Sequence, residues 1–280
     1  MMEKNNFAVR LLYGTRAGRA FLEWILKSNI DKVIVKFLWS PLSKPVIPVY
    51  IKMNKIPMKE FQGQKYRTFR EFFVRERKPV EMDQHPSHLI SPCDGWLSAF
   101  PIEADSSFCI KGSRYRLQDL IQDQELAKQF YDGDCLIFRL CASDYHHYSY
   151  IDDGYQGENH YIPGMLHSVQ PIACDAYPVY TLNRRVWTLL QTEHFGPVIQ
   201  TEVGAFVVGG IVNENENNHF SRGMEKGRFE LAGSTIVLMF QKNCIQIRPE
   251  IRKKLAEGKE FRVKQGMWIG EKKKNEGEIW

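Results

Sequence analysis

Ser234 stands in the run Ala232-Gly233-Ser234-Thr235, between a charged lead-in from Glu225 to Leu231 and an apolar stretch from Ile236 to Phe240. A chain hydroxyl becomes a nucleophile when a base takes its proton and a carboxylate orients that base. The sequence holds candidates for each part. Asp94, in Ser91-Pro92-Cys93-Asp94-Gly95, is a carboxylate, and His146, His147 and His167 are imidazoles, of the types such chemistry uses. A small residue at Gly233 leaves the carbonyl ahead of Ser234 open to attack. Each residue also has a plainer reading. Gly-Ser between strand-like runs is a turn or a bulge, because glycine reaches backbone angles that other residues avoid. Asp-Gly is a hairpin pair, and a histidine on a half-buried strand is packing.

The elements that must hold these residues fall into two halves. Residues 7–38 carry Phe7, Leu11, Ala17, Phe21, Trp24 and Ile25 along much of a helical apolar stripe. Pro41, Pro45 and Pro48 then break the pattern. Thr68-Phe69-Arg70-Glu71 matches a capping box and predicts a helix to about Arg77. That helix turns Phe69, Phe72, Phe73 and Val74 toward a core and leaves Arg75, Arg77 and Lys78 at a solvated end. Leu120, Ile121, Leu126 and Phe130 predict a short helix over 117–130. From residue 89 onward strands dominate, notably 135–140, 198–203, 205–208 and 234–241. Asp153-Gly154, Pro163-Gly164, Phe195-Gly196-Pro197 and Gly209-Gly210 punctuate them. The charged tail from Lys272 to Glu278 is expected to fray. The expected class is α+β, an N-terminal helical, membrane-facing portion followed by a mainly antiparallel β body.

Composition narrows the function classes. The 280 residues, 43% hydrophobic and 25% charged, are ordinary for a globular chain with a full core. No run approaches the roughly 18 consecutive apolar residues of a spanning helix. Arg10, Arg16 and Arg19 interrupt any secretory pattern. The net charge of +5 resides in residues 1–50, where eight Lys/Arg face Glu3, Glu23 and Asp31. Basic side chains interleaved with apolar ones suit an interfacial helix on an anionic membrane. A helical layer packed on the core, with its basic face solvated, suits the same pattern. No nucleic-acid motif accompanies the charge, so nucleic acid is not an expected partner. Six cysteines show neither CxxC nor metal-ligand spacing, which fits a reducing, cytosolic setting. Cys135 and Cys141 read as small buried hydrophobes. His85, His88, His160, His194 and His219 have no metal-site spacing either, so no metal is expected.

Several separated segments, in order, resemble the phosphatidylserine decarboxylase family over about residues 60–245. Phe72-Phe73-Val74-Arg75-Glu76-Arg77-Lys78-Pro79 is similar to its FFxRxxKP segment, and Ser91 to Gly95 to its SPxDG segment. Asp144-Tyr145-His146-His147 is similar to the start of DYHR, and Gly196 to Gly210 to the FG…VGAxxVG stretch. The block from Glu225 to Phe240 then corresponds to the processing site. The resemblance implies that Ser234 attacks the Gly233 carbonyl, turning the peptide bond into an ester. Elimination and hydrolysis then leave a pyruvoyl group at position 234. Its ketone forms a Schiff base with the amine of phosphatidylserine and serves as the electron sink as CO₂ leaves, in place of pyridoxal phosphate or a metal. The product is phosphatidylethanolamine. With the charge and helical pattern above, the chain divides into a basic, amphipathic, helical region 1–65 and a catalytic domain 66–280, which the resemblance implies is cut at 233/234. The large and small chains stay together as a noncovalent heterodimer, with further oligomerisation left open. The setting is peripheral, on the cytoplasmic face of a membrane, with Asp94 as the orienting acid.

One position departs from the family pattern. Many members read YHRxHxP, and the second His is the base; here Ser149 occupies that column, and a serine is no base near neutral pH. His146 matches the first family His. His147, in the Arg column, points to the opposite face of a strand. His167 lies in Pro163 to Val169, which is similar to a PGxLxSV strand. It could serve if the strands holding Ser149 and His167 run side by side. Ala232, where Gly or Leu is common, lies outside the scissile bond and is expected to be tolerated. Two other readings stand beside the lipid decarboxylase: a relative acting on a soluble amino acid, and an uncleaved pseudoenzyme that binds membrane or partner proteins. The basic, apolar N-terminus argues against the first, and the retained Gly233-Ser234 against the second.

Overall fold

The computed structural model describes residues 7–27, 30–103, 107–110, 113–165, 167–205, 210–231 and 234–273. Its helices begin with α1 (Phe7–Gly14), α2 (Arg16–Lys27), α3 (Ile30–Leu38), α4 (Val46–Asn54) and α5 (Phe69–Phe73), followed by α6 (Leu117–Ile121) and α7 (Gln124–Lys128). The first strands are β1 (His88–Ile90), β2 (Gly95–Pro101), β3 (Ser107–Ile110), β4 (Ser113–Arg116), β5 (Asp134–Leu140), β6 (His147–Ser149) and β7 (Gly154–Ile162). Then come β8 (Arg185–Thr192), β9 (Gly196–Gly204), β10 (Ile211–Asn213), β11 (Asn218–Phe220) and β12 (Glu225–Phe229). The last are β13 (Ser234–Phe240), β14 (Ile245–Ile247), β15 (Phe261–Val263) and β16 (Trp268–Lys272). The α+β class holds, and the named strands pair antiparallel throughout.

The central element is an eight-stranded sheet in the order β11-β7-β8-β9-β13-β5-β2-β15. β13 reads Ser-Thr-Ile-Val-Leu-Met-Phe, and all seven residues are buried. A β-branched and apolar run with no polar alternation belongs between two other strands, covered on both faces. It pairs with β5 on one side and β9 on the other along its whole length. Alternation then divides the core. Val237 and Met239 face a layer with Ile137, Ile199, Val203, Tyr13, Leu22 and Leu120. Ile236, Leu238 and Phe240 face the other, with Leu136, Phe138, Leu140, Tyr148 and Phe229. That second layer is covered by two small sheets, β10-β12-β6 and β1-β16-β14. Gly196 makes the β8–β9 hairpin possible, since its φ of +68° lies where glycine is favoured.

Helix phases differ from the sequence reading in three places. Residues 7–38 form separate helices, and a bend at Thr15 resets the stripe between α1 and α2. Tyr13 and Leu22 point inward while Leu11 and Phe21 are more than half exposed, so part of the predicted stripe faces away from the core. The predicted helix over 117–130 breaks into α6 and α7, because Gln122 turns left-handed and Asp123 caps the second helix by accepting from Leu126 N. α5 opens on the predicted cap, with Thr68 accepting from Glu71 N at 3.1 Å. It closes at Phe73 instead of near Arg77. Arg75 folds back and donates Nη1 to the carbonyls of Phe72 (3.2 Å) and Phe73 (3.3 Å), and its guanidinium packs over the Phe61 and Phe72 rings. This helix end is not solvated: Arg75 is buried, and Arg77 bonds Asp94 and Gln265.

Replacing Arg75 by Ala strands two carbonyls and removes the ring contacts. A loss of about 2–4 kcal/mol is expected in urea unfolding of the Ser234→Ala chain, whereas exposed Lys78→Ala should stay within about 0.5 kcal/mol.

Candidate active site

The predicted residues gather at one end of the eight-stranded sheet. Ser234 opens β13, with Leu140 closing β5 on one side and Gly204 closing β9 on the other. Asp94 precedes β2 at the same end, where Trp96 pairs with Arg139. His167 is tied to this end through its main chain. Asn183 Nδ2 donates to the carbonyls of His167 and Gly204, each at 2.7 Å, and Asn183 Oδ1 accepts from His167 N at 2.8 Å. Gly233 and Ala232 lie outside the described residues.

Ser234 is fully buried, and its Oγ has no hydrogen-bond partner among the described residues. It stands opposite Leu140 and alternates with Ile236, so its side chain faces the layer roofed by the small sheets. His146 directly precedes β6 of the roof. Phe229 N donates to the His146 carbonyl at 2.9 Å, extending the β12–β6 pairing by one residue. Alternation places the His146 side chain on the same face as Tyr148, which packs in the layer. The ring lies 4.5 Å from that of Phe73, and Phe73 shares a cluster with Leu231, three residues before Ser234.

The protonation of His146 follows from its partner. Nδ1 lies 2.9 Å from the Asp144 carbonyl oxygen, which can only accept. The proton therefore sits on Nδ1 and the lone pair on Nε2, which is buried with no partner among the described residues. Burial pulls the imidazole down to about 4, against the opposing pull of Asp144. His147 is arranged differently. Its Nδ1 faces Glu225 Oε1 (2.9 Å) and its Nε2 faces the Val74 carbonyl (3.2 Å), so both nitrogens meet acceptors.

Two sequence expectations need correction. The strands of Ser149 and His167 do not run side by side: β6 pairs with β12, while the segment before His167 bridges Asn183 through Met165. The His167 ring stacks on Tyr177 at 4.6 Å and meets the edge of Tyr13, in the layer on the far side of the sheet from the Ser234 side chain. Asp94 does not bond a histidine among the described residues. Its carboxylate accepts from Arg77 Nη1 (3.2 Å), Lys264 Nζ (2.8 Å) and Gln265 N (3.0 Å). Burial works to raise this carboxyl, and Arg77 with the Lys264 and Gln265 bonds holds it below its ordinary value. Ser149 lies against the Asp94 segment, its N and Oγ both donating to the Pro92 carbonyl. Sequence reasoning missed Asn183, Lys264 and Gln265, for which no local pattern gives a signal. Among the described residues, no group of three or more His, Cys, Asp or Glu could hold a metal ion.

A buried hydroxyl and a buried neutral imidazole, both without a partner among the described residues, are the two parts that hydroxyl-nucleophile chemistry needs. A sequence profile of the phosphatidylserine decarboxylase family matches residues 69–271. The chain is 38% identical over 269 residues to phosphatidylserine decarboxylase proenzyme 2 of Clostridium acetobutylicum, covering 95% of this chain and 92% of that one. It is 36% identical over 270 residues to the phosphatidylserine decarboxylase proenzyme of Clostridium perfringens (93% and 91% covered), and 38% identical over 266 residues to that of Clostridium kluyveri (92% and 90% covered). The chain belongs to the phosphatidylserine decarboxylase family, whose members are carboxy-lyases.

With its value near 4 in the fold and about 6.5 when unfolded, His146 contributes stability in full above about pH 6.5. That contribution is lost as pH falls from there through about 4. NMR titration of the Ser234→Ala chain should place the His146 midpoint near 4; a midpoint near 6.5 would show the ring to be solvated.

Proposed function

We propose that this chain cuts itself between Gly233 and Ser234 and, once cut, decarboxylates phosphatidylserine to phosphatidylethanolamine at a membrane surface. The observation that carries the reading is the pair of unpartnered buried atoms, Ser234 Oγ and His146 Nε2. His146 Nε2 takes the hydroxyl proton as Oγ attacks the Gly233 carbonyl carbon. The C–N bond breaks, the proton passes to the leaving nitrogen, and an ester joins Gly233 to the Ser234 oxygen. Removal of the Ser234 α-proton then expels Gly233 as a carboxylate. Water adds, ammonia leaves, and a pyruvoyl group caps the new chain. The site fits such a group, being buried and lacking a partner that would tie up the Ser234 side chain. The group supplies a carbonyl sink for the electrons released with CO₂.

The two chains have reason to stay together. β13 begins the small chain and lies between β9 and β5 of the large chain. Asp94 of the large chain is held by Lys264 and Gln265 of the small one. Residues 66–280 are read as the catalytic domain and residues 1–65 as its dock on an anionic membrane. Eight of the twelve large apolar side chains exposed among the described residues fall between Leu11 and Met53, including Val33, Trp39 and Leu42. Lys32, Lys36, Lys44, Lys52 and Lys55 are exposed among them. That mixture suits an interface with anionic lipid on the cytoplasmic side. No helix among the described residues is long and apolar enough to cross a membrane.

On denaturing gels the purified chain should release the 47 residues from Ser234 to Trp280, about 5.5 kDa of the 32.7 kDa chain, with a blocked N-terminus. Ser234→Ala and His146→Ala should stay whole, and His167→Ala should still be cut. A whole parent chain, or one without activity on phosphatidylserine vesicles, overturns the proposal.

Replacing Leu42 and Met53 together by Asp should weaken binding to anionic vesicles by at least about tenfold, read by flotation, while self-cleavage continues.

A further inference from the structure

The three strands of the sheet that roofs the site converge on one buried carboxylate. Glu202 lies on β9, two residues before Gly204, the residue opposite Ser234. Its Oε1 accepts from Lys226 Nζ of β12 (2.9 Å) and from Gln200 Nε2 (2.9 Å). Its Oε2 accepts from Asn213 Nδ2 of β10 (3.2 Å), and Asn213 Oδ1 accepts from the Tyr148 hydroxyl of β6 (2.9 Å). The Lys226 ammonium also donates to Thr188 Oγ1 at 3.3 Å and lies 6.0 Å from the centre of the Tyr148 ring. Both charged side chains have 0% exposure. Gly227 allows this closeness, because a Cβ there would lie 2.1 Å from the Val212 oxygen and 2.8 Å from the Tyr148 hydroxyl.

Neither charge takes part in the chemistry argued above, and stability alone is a weak reason to bury them. An apolar pair of similar volume is often as stable as a buried ion pair, whereas removing one partner is costly. What the pair does is geometric. β10-β12-β6 and the eight-stranded sheet share no ladder pairing. β12 ends at Phe229 in the roof sheet, and β13 opens at Ser234 in the eight-stranded one. The nucleophile is on one sheet, and the base is held by the other through Phe229 N. The spacing between the sheets therefore sets the approach of His146 to Ser234.

We propose that Glu202 and Lys226 are positioning residues, which pin the roof sheet at the spacing self-cleavage requires; the inference rests on the Ser234–His146 reading. The first test is Glu202→Leu combined with Lys226→Met in the full chain, following cleavage over time on denaturing gels alongside thermal melting. The expected result is a melting temperature within a few degrees of the parent and cleavage at least about tenfold slower, as displacements near 1 Å cost rates of this order. The pH midpoint of cleavage should stay where His146 puts it. Glu202→Asp keeps both charges but shortens the tether, and should also slow cleavage. It serves as the test if the double variant does not fold. Parental rates in the double variant, or in Glu202→Asp should the double not fold, overturn the positioning role and leave the self-cleavage reading intact. A parent chain that never cleaves overturns both.

Discussion

The strand that begins at Ser234 is hydrogen-bonded on both sides along its whole length, and the site is built around that constraint. Seven consecutive residues are matched to β5 and seven to β9, so the backbone beneath the serine has no freedom to approach a partner. Whatever acts on Ser234 must be brought to it. Under the self-cleavage reading, the base comes from the roof sheet, where the main chain of His146 accepts from Phe229 N. The same pairing answers the question a cut at this point raises. A strand with partners on both sides keeps the ladder from Thr235 to Phe240 when the peptide bond at its end is broken.

Around this fixed strand, polar groups are treated in two opposite ways. Glu202 and Lys226 are saturated by partners from several strands. Ser234 Oγ and His146 Nε2 have none among the described residues. An unmet buried hydroxyl or ring nitrogen costs about 1–3 kcal/mol, and these two are among the buried side-chain atoms left open. Unpaired atoms of complementary kind, a donor and an acceptor, are what a proton transfer uses.

The sequence was legible where a residue's type settles its surroundings. An apolar β-branched run such as β13 can only be central, and Thr68 with Glu71 marks a helix start by chemistry local to four residues. Legibility failed where surroundings are set from far away. Arg75 and Arg77 read as solvated because charge is visible in a sequence and burial is not; their partners are ring faces, terminal carbonyls and an aspartate 17 residues on. The stripe over 7–38 lost its phase at Thr15, where a single bend rotates every later residue. In the site, the departure at Ser149 was visible but its consequence was not. Choosing among His146, His147 and His167 required knowing which layer each ring enters, and that depends on β6 pairing with β12.

The serine at position 149 also bears on the acid. Under the self-cleavage reading, Asp94 has no imidazole to orient and instead holds Arg77 from one side of the cut and Lys264 from the other. His146 is oriented by a main-chain carbonyl, which fixes the tautomer as well as a carboxylate does but offers far less compensation when the ring becomes an imidazolium. Burial holds the ring near 4, against the opposing pull of Asp144 and of that carbonyl bond. Each unit of lost basicity is about 1.4 kcal/mol against proton transfer, a serious defect in a base that must turn over. Self-cleavage happens once in the life of each chain. A base that is slow but always neutral meets that need, and a carbonyl oxygen is enough to hold it.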